Sequence, residues 1–158
     1  MQGAWATLLN RYSRQSEVLF GAVVSGRPAI LPQVEEMVGL FINTLPVRVQ
    51  NFQQAVVGFL HALQRDQLDS RQYEAVALNR LQQLTDIPAE QALFDTLVVF
   101  ENYPVEAVLQ AQQGKLEISD IQAVERTSYP LTLVVGAEDT LSMELVFDPA
   151  HFEHADCQ

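Results

Sequence analysis

Cysteine is all but missing from this chain: Cys157, next to the last of 158 residues, is the only one. A lone thiol closes no intramolecular disulfide, which fits a reducing compartment. Positive charge is scarce too, with 9 lysines and arginines against 20 acidic residues and a formal net charge of −11. That balance argues against unassisted binding to nucleic acid or to an anionic membrane, because their phosphates would be repelled. No apolar run approaches the ~20 residues a bilayer-spanning helix needs. The start, MQGAWATLLNRYSR, offers no basic leader followed by a long apolar block and a small-residue cleavage site. A soluble, cytoplasmic protein is expected. The three histidines, His61, His151 and His154, include no adjacent pair. Ser25 has no histidine near it in sequence and no Gly-x-Ser-x-Gly elbow around it, which argues against a nucleophilic serine.

What is present is apolar content, 48% of the residues, in a chain of one ordinary domain's size, with charged residues held to 18%. That is enough to bury a core and too little charge for a disordered acidic tail. Trp5, Leu8, Leu9 and Tyr12 recur at helical spacing and predict a helix over residues 2 to 13 that packs on a sheet. Val18 to Val24 reads as a buried strand. The stretch Val24 to Val49 is punctuated by Gly26, Pro28, Gly39 and Pro46, so it is not one helix. It turns at Ser25-Gly26-Arg27-Pro28, passes through a short helix at most near Glu35 and Glu36, and becomes extended again at Leu45 to Val49. Within it Leu40, Phe41 and Ile42 are too apolar for a solvated loop, and Asn43, Thr44 and Pro46 interrupt the run before a strand pattern is established.

From Gln53 to Arg71 helical spacing returns, with Val56, Val57, Phe59, Leu60, Leu63 and Leu68 as an apolar face. Gln72 to Ala92 is a polar connection holding one short helix, marked by Leu78, Leu81 and Leu84 and stopped at Asp86-Ile87-Pro88. Strands are predicted at Thr96 to Phe100, Leu116 to Val124, Leu131 to Val135 and Leu141 to Phe147, with a loop from Gln110 to Gly114. Gly136 to Asp139 is a plausible hairpin turn, making the last two strands antiparallel neighbours. Beyond Asp148-Pro149, Glu153 to Asp156 looks like the first turn of a helix. No linker composition and no internal repeat divide the chain. The expected fold class is α/β: a mixed, largely antiparallel sheet with the helices of residues 2 to 13 and 53 to 71 packed on one face.

Few side chains here carry chemistry. Asn43 is suited to cap a backbone turn or to bond a neighbouring loop. Arg27 and Arg48, fixed cations inside apolar motifs, are expected to pair with carboxylate or backbone carbonyls. Glu101, Asn102 and Tyr103, at a strand end before a proline, suit a sheet edge, where sites form. His151, Glu153, His154, Asp156 and Cys157 suggest a metal set, but no second ligand pair lies elsewhere, so no metal is expected.

The segment SGRPAILPQVEEMVGLFINTLPVRV closely resembles the second-half signature of condensation domains in nonribosomal peptide synthetases. Ala4 to Gly21, Leu93 to Pro104, and Tyr129 to Asp148 match further segments of that family in order. The resemblance implies the second, C-terminal lobe of a chloramphenicol acetyltransferase-like fold, without the beginning of that lobe or its last helix. It implies amide-bond formation between thioesters delivered on the phosphopantetheine arms of carrier proteins, with no cofactor bound by this chain. The family's adjacent histidines belong to the other lobe, so no catalytic residue and no activity are expected of this chain alone. Asn43, Ser25, Arg27, Glu101 and Asn102 would line the substrate tunnel. Gly26, Pro28, Gly39, Phe41, Thr44, Pro46 and Arg48 would be the structural motif, and Leu78, Leu81 and Leu84 a latch onto the missing lobe, unless they form a short helix on this lobe's own surface. The implied partners are that N-terminal lobe, the peptidyl and aminoacyl carrier proteins and an adjacent adenylation domain. A carrier-docking module without catalysis, a fragment of an epimerisation domain and a stand-alone acyltransferase of the same superfamily are the alternatives.

Overall fold

The structure, a computed structural model, describes residues 1–27, 31–101, 127–137 and 140–157. The chain divides into two compact units, Met1–Val98 and Val99–Gln158. In the first, helix α1 (Gln2–Ser13) ends where Arg14 turns left-handed and returns its N–H to the Asn10 carbonyl. This leads into strand β1 (Glu17–Val24). β1 pairs antiparallel with β2 (Asn43–Gln50) along its whole length, from Glu17↔Gln50 to Val24↔Asn43. On its other side it pairs parallel with β3 (Thr96–Glu101) through Gly21↔Leu97 and Ala22↔Val98. The sheet is therefore mixed, as the α/β expectation requires.

The register sorts the side chains onto two faces. Val18, Phe20 and Ala22 of β1, opposite Val49, Val47 and Leu45 of β2, point to one face, and all but Val47 are buried. Helix α1 lies on this face: buried Trp5 donates its indole N–H to Thr96 Oγ1 at 3.4 Å. Helix α2 (Val56–Ser70) packs beside it: a Cβ at Gly3 would come within 3.0 Å of Leu60, 3.3 Å of Phe59 and 3.4 Å of Leu63. The opposite face carries Glu17, Leu19, Gly21 and Val23 beside Arg48, Pro46 and Thr44. There the Phe94 ring lies so close to Gly21 that a Cβ at that position would come within 2.3 Å of it. Pro46 has no N–H, and it sits opposite Gly21. That pair is thus one of the non-hydrogen-bonded positions of the ladder.

The second unit holds the end of β3 and an antiparallel hairpin of β4 (Leu131–Ala137) and β5 (Leu141–Phe147), in register from Leu131↔Phe147 to Ala137↔Leu141. The expected hairpin is present; its turn residues Glu138 and Asp139 lie outside the described residues. Fully buried Thr132 satisfies its hydroxyl with Thr127 at 2.6 Å. Past β5 the Asp148 N–H bonds the Pro130 carbonyl at 2.9 Å, and a 3-10 turn spans His154–Cys157. The expected strand at Leu116 to Val124 and the loop before it also lie outside the described residues.

Three local expectations change. β2 starts at Asn43, so Asn43, Thr44 and Pro46 are strand residues rather than interruptions. A strand end tolerates asparagine when its side chain has other work, and proline when the missing donor faces away from the partner strand. On α1, Trp5 is buried but Leu8 and Tyr12 are exposed, and on α2 only Leu63 is buried while Val56, Val57, Leu60 and Leu68 are exposed. Each helix meets the sheet along a narrower stripe than its apolar spacing suggested. The helix of the polar connection is α3 (Leu78–Gln82), a single turn and a half, and Leu84 lies outside it.

Candidate functional site

The segment between β1 and β2 is an 18-residue excursion, Ser25 to Ile42, whose ends are held together by the Val24↔Asn43 pair. Gly26 permits its first bend, with φ +60°. A Cβ there would lie 1.8 Å from the Phe41 carbonyl oxygen, so the returning strand of the excursion passes directly against the glycine. Arg27 then reaches inward. Its guanidinium donates to the Val34 carbonyl and through both terminal nitrogens to the Met37 carbonyl at 3.1 Å, and it lies 4.3 Å from the centre of the Phe41 ring. The sequence expectation of backbone carbonyls as Arg27 partners is met. Between those anchors a 3-10 turn, Val34–Glu36, buries Val34. Val38 and Leu40 project fully into solvent, and Ile42 is more than half exposed.

Asn43 closes the excursion and does more. Its side-chain amide donates to the Glu74 and Val76 carbonyls, both at 2.8 Å. It does cap a turn, but one 31 to 33 residues further on, at the start of the connection that carries α3. Leu78 and Leu81 of that connection are half-buried and Leu84 is exposed. Ser25 and Gly39 are exposed at the excursion's surface, and Pro28 and Asn102 lie outside the described residues. Glu101 ends β3 in the second unit.

Arg48 takes the carboxylate alternative, donating through Nε and a terminal nitrogen to the two oxygens of Glu17 at 2.8 Å each. Gln50 also donates to Glu17. The Arg48 guanidinium first, and the Gln50 amide second, hold the Glu17 carboxyl below the usual glutamate range. Because folding lowers this pKa, the pair's contribution is complete above the ordinary glutamate value and is lost as pH falls through the lowered one. The pair lies at the surface and the effect is correspondingly small. A carboxyl-detected NMR titration should place the Glu17 midpoint below that of an unpaired glutamate, and Arg48→Gln should undo the larger part of the shift while Gln50 keeps the rest; an unshifted midpoint refutes the pairing in solution.

A groove of about 650 Å³ that sequence reasoning did not foresee lies at the far end of β2, between Arg48 to Asn51 and α2 residues including Phe59, His61 and Arg65. No spacing rule marks it, because its lining comes from two different elements. Of the residues weighed as a metal set, His151 pairs with Asp148 at 3.3 Å and His154 sets its ring edge-on to Phe147, with centroids 5.3 Å apart. Among the described residues no group of three or more metal-ligating side chains comes together. No helix among them is long and apolar enough to cross a membrane.

The arrangement is thus an exposed apolar tip, Val38, Leu40 and Ile42, with a polar clasp of Arg27 and Asn43 at its base. Comparison with known proteins places it. The family model described as the condensation domain matches residues 1–158. The chain is 49% identical over 156 residues to a linear gramicidin synthase of Brevibacillus parabrevis, covering 98% of this chain and 3% of that protein. It is 34% identical over 158 residues to surfactin synthase subunit 3 of Bacillus subtilis (strain 168), covering 98% of this chain and 12% of that one. Among solved structures, the starter condensation domain of the rhizomide synthetase RzmA superposes with a TM-score of 0.72 at 18% identity, over 98% of this chain and 37% of that chain. The fold is accordingly chloramphenicol acetyltransferase-like, and the chain spans only a small part of the synthetases and about a third of the solved domain. By the match along its whole length, the chain belongs to the condensation-domain family of nonribosomal peptide synthetases.

Proposed function

We propose that this chain is the second-lobe part of a condensation domain that joins carrier-bound aminoacyl and peptidyl thioesters by an amide bond. It supplies tunnel wall and latch, while a partner lobe brings the histidine pair. The observation that carries the reading is the tip formed by Val38, Leu40 and Ile42, apolar and exposed yet fastened from below by Arg27 and Asn43. An apolar surface that is held in place rather than collapsed onto its own core is built for contact. Ser25, Arg27 and Asn43 stand at the base of that tip and form the near wall of the substrate tunnel. Leu84, exposed beyond α3, belongs to the latch with Leu78 and Leu81. Substrates arrive on phosphopantetheine arms from carrier proteins, charged by an adjacent adenylation domain, in the cytoplasm.

The amine of the acceptor needs a base near neutral pH, and among the described residues the site offers no histidine for that task. The purified chain, given two loaded carrier proteins, is therefore expected to yield no dipeptidyl product above the uncatalysed level. Adding a separately expressed lobe that carries the adjacent histidines should restore product. Product from the chain alone overturns the division of labour.

A further inference from the structure

We infer that Arg27 is a positioning residue: its guanidinium, bridging the Val34 and Met37 carbonyls and lying over Phe41, fixes the direction in which Val38 and Leu40 are presented. The inference rests on the proposed function only in supposing that the presented tip lines the path of the substrates. A loop of this length with two fully exposed apolar side chains buries only Val34 among its described residues, too little to order it. Three features of the chain do so instead, and all converge on one side chain. The fork of a guanidinium meets the two carbonyls that flank the 3-10 turn, at its first residue and just past its last. The Phe41 ring, 4.3 Å from the guanidinium carbon, draws the returning segment onto the same cation. Gly26 lets that segment pass without a Cβ in the way. Lysine, a point charge on a flexible stem, keeps the attraction to the ring but does not reproduce the fork.

The test has two readouts. In amide hydrogen exchange on the full chain, Arg27→Lys and Arg27→Met are each expected to speed exchange of residues 34 to 42 by about tenfold, the scale of a lost charge-assisted hydrogen bond. β1 and β2 amides such as Phe20 and Val47 should exchange as before, which also reports that the chain is folded. In the complete condensation domain containing this chain, both variants are expected to lower kcat with the carrier-protein KM unchanged, the pattern of disturbed substrate alignment rather than weakened carrier binding. Should both variants unfold, Phe41→Leu removes only the ring beneath the cation and is expected to speed the same amides by a few-fold. Unaltered exchange in the tip overturns the inference, and so does faster exchange with kcat and KM both unmoved. A complete domain that fails to condense any carrier-bound pair refutes the proposed function instead, and the exchange result then decides the Arg27 clamp by itself.

Discussion

Gly26→Ala is expected to detach the excursion between β1 and β2. An L-residue at φ +60° is strained, and the added methyl would lie 1.8 Å from the Phe41 carbonyl oxygen and 2.9 Å from its carbon. Backbone, unlike the end of a side chain, does not step aside cheaply. Relief requires Phe41 to withdraw, which takes its ring off Arg27 and frees the Met37 carbonyl from its donor. The left-handed strain and the lost contacts together should cost on the order of 3 kcal/mol of stability. The measurement is a denaturation midpoint, with the slope of the transition unchanged. Semisynthetic D-alanine at the same position accepts the positive φ and directs its methyl elsewhere, so near-native stability is expected of it. Equal loss with both enantiomers would mean that the close approach to Phe41 does not exist in solution.

The second large effect is at Asn43. Asn43→Asp keeps the shape of the side chain but replaces a donor shared by two carbonyls, at 2.8 Å each, with a carboxylate oxygen facing them. Two acceptors lose their partner and meet a negative charge, an expected loss of about 3 kcal/mol at neutral pH, against about 1 kcal/mol for Asn43→Ala, which leaves room for water. The introduced carboxyl takes up a proton more readily folded than unfolded, so the destabilisation should shrink as pH falls through its raised pKa. Once protonated it donates to one carbonyl again. Equilibrium unfolding of both variants across pH checks this. If Asn43→Asp costs no more than Asn43→Ala and shows no pH dependence, the clasp on Glu74 and Val76 is wrong.

Periodic elements were legible in the sequence because periodicity is a local property. The alternation and β-branching of Val18 to Val24 and of Leu141 to Phe147, and the spacing of Trp5 and Leu9, predict strands and helix close to their observed bounds. What the pattern overstates is burial: Val56, Val57 and Leu60 share a helical face with Leu63 in sequence, yet only Leu63 reaches the interior. How far a neighbouring element extends is a tertiary fact. The candidate site was legible as residue types and less as connections. Arginine in an apolar motif points to a carbonyl or carboxylate partner, and both alternatives occur, at Arg27 and Arg48 respectively. Nothing local says that the carbonyls are those of Val34 and Met37 or that the carboxylate is Glu17. Asn43 likewise reads as a turn cap, but its turn is brought to it by α2, across more than thirty residues.

Pro46 carries a consequence beyond the ladder it interrupts. Opposite Gly21 its nitrogen looks away from β1, so the side of β2 where another molecule's strand would dock lacks a donor in mid-strand, while Arg48 and Gln50 follow with exposed polar side chains. A second chain trying to template on β2 would leave one of its own carbonyls unmatched at that step. Pro46 therefore leaves the open side of β2 a poor template for fibrillar stacking.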